Sequence, residues 1–166
     1  GGYFSQGNGS ATGNSVTISG TPTFDTSAII YGGNTNTGSG DVRTGNTLIV
    51  GTKGLSAGNI ENFQDYKFVL FSGGGTGLTL GDIGGTDMGS ISSSGSFTLT
   101  GVLPGAPLQP GKSIILLRNA SGLINVPTLG VGQLRQNSVL MLDYSLRSTG
   151  TDILADINDV QVAPEN

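Results

Sequence analysis

Carboxylates are the side chains in this sequence that come closest to acid–base chemistry. Asp82 and Asp87 flank a glycine-rich segment at residues 83–86. A calcium ion would need several oxygen ligands converging on one point, and this spacing fits neither an EF-hand loop nor the Gly-Gly-x-Gly-x-Asp calcium repeat. We interpret the pair as turn residues, with a weak metal site as the alternative.

Three further carboxylates, those of Asp152, Asp156 and Asp159, lie on or near a predicted strand. Asp152 and Asp156 have the same parity, so both are expected to face solvent while Ile153 and Ile157 point inward. Glycoside hydrolysis needs two carboxylates at a set separation in a cleft, and nothing in this spacing predicts one. We therefore expect a solvated strand face whose charge discourages edge pairing.

Composition removes most other catalytic chemistry. The chain has no Cys and no His, which excludes thiol nucleophiles, thiolate metal sites and a Ser-His-Asp triad. Gly73, Gly74 and Gly75 predict a flexible loop, not a phosphate cradle, because no Lys-Ser/Thr pair and no helix follow. We predict no catalytic residue, no metal site and no cofactor, and thus no enzyme.

The charge distribution limits the classes of binding partner that can be expected. Seven Lys and Arg residues stand against eleven Asp and Glu, and the pI is about 4.4. The basic residues are scattered, so nucleic acid is not an expected partner. No apolar run approaches the roughly 20 residues of a membrane helix. No signal peptide opens the chain, which reads as a mature or excised fragment beginning within a repeat.

Composition and hydrophobic pattern both favour an all-β class. Gly contributes 30 of 166 residues, hydrophobic residues 35% and charged residues 11%, which suits a thin core spread along a solenoid. One short helix is possible over residues 56–66, although Gly58 weakens it. Strands with period-two alternation and turn residues between them are predicted elsewhere. The predicted strands span residues 15–19, 28–31, 47–50, 67–71, 78–80, 96–100, 113–117, 123–126, 139–146 and 153–162.

An internal repeat supports stacked coils. Residues 12–18 match residues 44–50 at an offset of 32, and the Gly-Gly pair at residues 1–2 recurs at residues 32–33, an offset of 31. A Gly-Asn corner supplies positive φ, and Asn14 and Asn46 are expected to stack into a hydrogen-bonded ladder. We predict solenoid coils over residues 1–109, with repeats of about 32 residues at 1–31 and 32–60.

The C-terminal part follows a different pattern. Residues 147–152 form a hairpin signal between residues 139–146 and 153–162, and residues 119–122 do the same between 114–117 and 123–126. Since a solenoid end leaves an unpaired edge, a block of hairpins would cover it. We predict a hairpin-rich cap over residues 110–166.

The role of the aromatic residues has two interpretations. A platform on which sugars stack is one, but core packing is favoured, because Tyr66 and Phe68 share the parity of an inward strand face. The set comprises Tyr3, Phe4, Tyr31, Phe63, Tyr66, Phe68, Phe71 and Tyr144.

Several segments resemble the passenger domains of bacterial autotransporters. The repeats are of Gly-Gly-Tyr or Tyr-Gly-Gly followed by Thr-Gly-Asn and an apolar strand. Residues 54–63 with 66–70 are similar to a segment that follows such repeats. The passenger's C-terminal region, near the barrel, is similar to residues 111–117 with 122–124, and to 141–146 with 153–157.

The resemblance implies a right-handed parallel β-helix with a C-terminal cap. It also implies export through an outer-membrane β-barrel of the same polypeptide and display on the surface of a Gram-negative bacterium. The expected role is a structural scaffold and adhesin whose cap assists folding during secretion, with cleavage near Asn166 an open question. Expected partners are a host or bacterial surface protein or glycan, or another copy of the chain. The alternative is a carbohydrate-binding or carbohydrate-active β-helix of tailspike or lyase type.

Overall fold

The chain is all-β in the part that the structure describes. The structure is a computed structural model, and it describes residues 2–4, 9–35, 39–81, 83–89 and 95–164. These residues form strands and turns without a helix, which confirms the predicted all-β class. The strands are β1 Gly2–Phe4, β2 Ser15–Ile18, β3 Ile29–Tyr31, β4 Gly33–Thr35, β5 Thr47–Val50, β6 Leu55–Ser56, β7 Asn59–Glu61, β8 Asp65–Leu70, β9 Thr76–Leu80, β10 Thr86–Asp87, β11 Ser96–Val102, β12 Ser113–Asn119, β13 Leu123–Ile124, β14 Val131–Arg135, β15 Leu140–Ser148 and β16 Asp152–Val162.

Parallel pairing joins strands that are far apart in sequence. Strands β2, β5, β8 and β11 lie side by side in one four-stranded parallel sheet. Ser15 pairs with Thr47, so the 32-residue repeat is the pairing register itself. Gly2 pairs with Gly33 at the second predicted offset. The offset is not constant, however, because Thr47 pairs on its other side with Asp65.

Other faces of the molecule carry parallel pairs as well. β6, β9 and β12 are parallel neighbours, and the pairs β3–β7, β10–β13 and β1–β4 each form a two-stranded sheet. From β1 to β14, consecutive strands therefore enter different sheets, and the four-stranded sheet collects one strand from each of four successive stretches of the chain.

The C-terminal strands change the pairing direction. β16 pairs antiparallel with β12, β15 with β16 and β14 with β15, which makes the six-stranded sheet mixed. The predicted hairpin through residues 147–152 is confirmed. The predicted hairpin through residues 119–122 is wrong, because Leu123–Ile124 pairs parallel with Thr86–Asp87 instead of folding back on β12. Gly122, at φ +110°, turns the chain toward a different sheet.

The predicted helix over residues 56–66 is also wrong. This stretch forms the end of β6, all of β7 and the start of β8. Ile60 pairs with Ile30 of β3, and Asn62 adopts a φ of +65°, which a right-handed helix does not allow. Pairing with a distant strand overrides the weak local helix signal.

One apolar core runs between the sheets. Inward side chains alternate with outward ones, as in β8, where Tyr66, Phe68 and Leu70 are buried and Lys67 is exposed. Side chains from paired strands then stack: the ring centroid of Phe97 lies 6.2 Å from that of its register partner Tyr66 and 4.9 Å from that of Phe68. The buried cluster extends continuously from β2 to β16.

Candidate functional site

Asp87, the described carboxylate of the first candidate site, supports a turn. Asp87 lies at the end of β10, and one of its oxygens accepts hydrogen bonds from the amide of Gly89 at 2.8 Å and from Asn125 Nδ2 at 3.0 Å. Asp82 lies outside the described residues. Within the part of the chain that is described, no group of three His, Cys, Asp or Glu residues is placed to hold a metal ion.

Two of the three candidate carboxylates on β16 are ion-paired, whereas Asp159 is exposed to solvent as expected. Asp152, expected to face solvent, is only 8% exposed and bonds Arg118, so that expectation is wrong. Asp156 accepts a hydrogen bond from Arg147 Nε at 2.8 Å and another from Ser113 Oγ. These hydrogen bonds lower the pKa of both Asp152 and Asp156, because they stabilise the charged carboxylate.

Burial decides the role of four of the aromatic residues. Phe63, Tyr66, Phe68 and Phe71 are each at most 2% exposed, so they belong to the core as predicted and cannot offer a stacking face to a sugar. The Tyr66 hydroxyl donates toward the carbonyls of Phe63 and Met88, and burial raises the pKa of that hydroxyl. Tyr31 and Tyr144 are partly exposed, and the side chains of Tyr3 and Phe4 are outside the described set.

The predicted asparagine ladder is confirmed at the Gly-Asn corners. Asn46 is fully buried, and its Oδ1 accepts hydrogen bonds from the backbone amide and the side chain of Asn14, at 2.9 and 3.1 Å. Its Nδ2 donates to the carbonyls of Ala11, Val42 and Asn62. Gly13 and Gly45 precede the two asparagines with φ of +68° and +69°. Asn46 therefore ties three separate chain segments together.

A second buried polar ladder was not predicted from the sequence. Asn59, Thr86 and Asn119 are almost fully buried on three separate strands. Thr86 Oγ1 donates to Asn59 Oδ1 and accepts a hydrogen bond from Asn119 Nδ2 at 2.8 Å. A sequence signal existed for Asn59, because Gly58-Asn59 repeats the Gly-Asn pair of the corners. Asn119 follows an arginine and carries no such signal.

One recess lies where two loops of different length diverge. One loop follows β8 and contains Gly73, Gly74 and Gly75, and the other spans residues 103–112 between β11 and β12. Between them is a space of about 380 Å³, which we call the corner slot. The corner slot is lined by Phe71, Ser72, Gly73, Gly74, Gly75, Ala106, Pro107, Leu108, Gln109, Lys112, Ser113 and Ile114.

Both walls of the corner slot are held in place. Lys53 Nζ donates to the carbonyl of Ser72 at 2.7 Å and lies 5.0 Å from the centroid of the Phe71 ring. On the opposite wall Gln136, in the turn after β14, accepts a hydrogen bond from the Leu108 amide and donates to the Ala106 carbonyl, both at 3.1 Å. The loops are therefore fixed by neighbouring segments on both sides.

A smaller, apolar recess of about 280 Å³ lies beside β2. Its walls include the partly or fully buried side chains of Val16, Ile18, Phe24 and Ile30. It offers no charged or chemically reactive group.

The comparisons with known proteins identify no relative of this chain. No protein-family model, no curated protein sequence and no solved structure matches it. Among the described residues there is no helix long and apolar enough to span a membrane.

Proposed function

We propose that this chain is a segment of a right-handed parallel β-helix that serves as a non-catalytic scaffold. The observation that carries the proposal is the four-stranded parallel sheet of β2, β5, β8 and β11, whose members are separated in sequence by strands of other sheets. Such an order arises when the chain winds repeatedly round one interior. Right-handed crossovers between parallel strands are strongly favoured, which sets the hand.

Stacked coils explain how a chain without disulfides can be stable. Each coil buries its inward side chains against its neighbours, as Leu48, Tyr66 and Phe97 do across three paired strands. The polar corners are satisfied by ladders of their own, through Asn46 and through Thr86. Such an elongated body presents a long outer surface that is built from short, similar sequence units.

The antiparallel strands β14, β15 and β16 complete the scaffold as a cap. β16 occupies the edge of β12 that a further parallel strand would otherwise take. An unpaired edge of that kind is a template for aggregation. The cap therefore closes the parallel ladder and provides a long local hairpin that can form early and template the coils.

Display on the cell surface is the proposed setting, in line with the resemblance to autotransporter passengers. An extended body of alternating polar and buried side chains suits a spacer that holds an adhesive surface away from the cell. In that setting the partners are a barrel of the same polypeptide and a protein or glycan on another surface. The polar Asn and Thr composition and net charge of −4 are compatible with exposure to solvent.

Two deletions of similar size test the scaffold and its cap. Removing residues 131–164 deletes the cap strands β14, β15 and β16, whereas removing residues 1–31 deletes the N-terminal strands. We expect the first deletion to make the remaining chain protease-sensitive and to abolish surface display when the chain is fused to an outer-membrane barrel. The second should leave a folded, protease-resistant remainder, because each coil depends mainly on its neighbours. Full protease resistance and display without the cap would refute the cap's role.

A further inference from the structure

We propose that the corner slot binds a saccharide unit that carries a carboxylate. The inference stands apart from the scaffold role, because it rests on the two loops that form the slot. Its size suits a small ligand, since binding pockets range over about 300–1,000 Å³ and the corner slot has a volume of about 380 Å³.

Two lysines bring positive charge to the corner slot although the chain as a whole is acidic. The chain has three lysines, and two of them are here. Lys112 lines the slot and is exposed, and Lys53 reaches the carbonyls of Ser72 and Gly74 at the slot's wall. The lining includes no Asp or Glu. This arrangement favours an anionic group over a neutral or cationic one.

The carboxylate of Asp156 bonds a lining residue of the slot, and it is already paired with an arginine. Ser113 Oγ donates to Asp156, and Asp156 is also ion-paired with Arg147 at 2.8 Å. Arg147 on the cap therefore balances the charge of Asp156. Lys112 keeps its attraction for a ligand.

Hydrogen-bond donors for the ligand come from the glycine wall. Gly73, Gly74 and Gly75 are exposed and have φ of +86°, +75° and +85°. No amide of these three donates to an acceptor among the hydrogen bonds of the described residues. A Cβ at Gly74 or Gly75 would meet nothing within 4 Å, so the wall is open to an approaching group. Adjacent free amides without side chains suit a carboxylate or hydroxyl oxygen.

The exposed apolar lining is at the rim, where Ala106 and Pro107 suit the C–H face of a sugar ring. Phe71, Leu108 and Ile114 form the buried floor beneath this rim. Convergent polar groups over an apolar floor are the usual composition of a small-ligand site. Gln136 holds the Ala106–Leu108 wall in place before any ligand arrives, which lowers the ordering cost of binding.

The test is a titration of the isotope-labelled full chain, followed through its amide resonances in NMR spectra. The acidic probe is the trisaccharide of galacturonic acid, and the neutral probe is maltotriose. We expect the acidic probe to shift the resonances of Gly73–Gly75 and of residues 106–113, and maltotriose to shift them much less. Lys112→Ala should weaken acidic binding about fivefold, the size of one exposed charge interaction. Gln136→Ala should also weaken it while the rest of the spectrum stays unchanged.

Lys67→Ala is the matched control, because Lys67 is an exposed lysine on β8 that does not line the slot. This variant should bind the acidic probe with unchanged affinity. Equal weakening by Lys67→Ala and Lys112→Ala would show attraction to overall charge and overturn the proposal. Shifts absent from the slot, equal shifts with maltotriose, or equal binding of a sulfated trisaccharide would overturn the assignment of a carboxylated sugar. These outcomes test the corner slot alone, because the scaffold and its cap are tested separately by the two deletions.

Discussion

Arg118 and Asp152 form a bidentate ion pair across the junction between the parallel strands and the cap. Arg118 Nε donates to one carboxylate oxygen at 2.8 Å and Nη2 to the other at 2.7 Å. The two residues are register partners on β12 and β16, the point at which pairing changes from parallel to antiparallel. The pair fixes the register of the cap, since two hydrogen bonds in a plane tolerate little displacement.

Arg118→Ala should destabilise the chain by about 1–3 kcal/mol, because it leaves a nearly buried carboxylate without its partner. The measurement is the free energy of unfolding from denaturant titration. Arg147→Ala is the control, because the Arg147–Asp156 pair is more exposed on both sides and exposed pairs contribute about 0–1 kcal/mol. Equal losses in the two variants would contradict a special role for the junction.

The same pair predicts how stability changes with pH. The hydrogen bonds from Arg118 hold the pKa of Asp152 below its ordinary value in the folded chain. A carboxylate with a lowered folded pKa contributes stability that is complete above the unfolded pKa, about 3.9, and is lost as pH falls through the folded value. Asp152→Asn should therefore lower stability at neutral pH and flatten its decline below about pH 4. An unchanged acid profile in Asp152→Asn would show that the pair does not titrate with folding.

Asn46→Ala should be among the most damaging single changes in the N-terminal half. It removes the hydrogen bonds that Asn46 makes with Asn14 and with three carbonyls in a fully buried site. Unpaired buried groups cost about 1–3 kcal/mol each, so we expect a loss of at least about 3 kcal/mol. Asn14→Ala, at the partly exposed end of the ladder, should cost about 1 kcal/mol. Similar losses for both would contradict the central position of Asn46.

Close backbone stacking predicts a contrast between two strand glycines. A Cβ at Gly77 on β9 would lie 2.4 Å from the carbonyl oxygen of Leu116 on the neighbouring β12, whereas a Cβ at Gly101 on β11 would meet nothing within 4 Å. Gly77→Ala should therefore lower the unfolding free energy by about 2–4 kcal/mol, the range of overpacking and backbone strain. Gly101→Ala should change it by less than about 1 kcal/mol. A tolerated Gly77→Ala would show that the two strands lie further apart.

The sequence predicts what is local or periodic. Strands such as β5 and β11 have four or more residues and alternate clearly, and the Thr-Gly-Asn repeat identified partners 32 residues apart. Strands of two or three residues, such as β6 and β10, are too short to show a period. The error at residues 123–126 arose because the partner of β13 is β10, a strand without a signal of its own.

The corner slot could not be predicted from the sequence either, because it also depends on residues that are distant along the chain. The corner slot joins the loop after β8 with a loop more than thirty residues later, and a cap residue, Gln136, holds its wall. The burial of Asp152 likewise depends on Arg118, which lies 34 residues away. Parity along a single strand indicates the face of a side chain, but it does not indicate what covers that face.

A pair of introduced cysteines tests the stacking of distant segments most directly, since the chain has no cysteine of its own. Lys67 on β8 and Thr98 on β11 are exposed register partners. Neighbouring strands lie about 4.8 Å apart, within the reach of a disulfide. The double variant Lys67→Cys with Thr98→Cys should oxidise almost completely to an intramolecular disulfide.

Thr17→Cys with Thr98→Cys is the control, because Thr17 lies on β2, three strands from β11 in the same sheet. At about 14 Å of separation that pair should stay reduced. Efficient bridging of residues 67 and 98 with none between residues 17 and 98 is the result that stacked parallel segments require. Failure of the first pair to bridge in the folded chain, or equal bridging of both, would contradict the architecture on which the scaffold proposal depends.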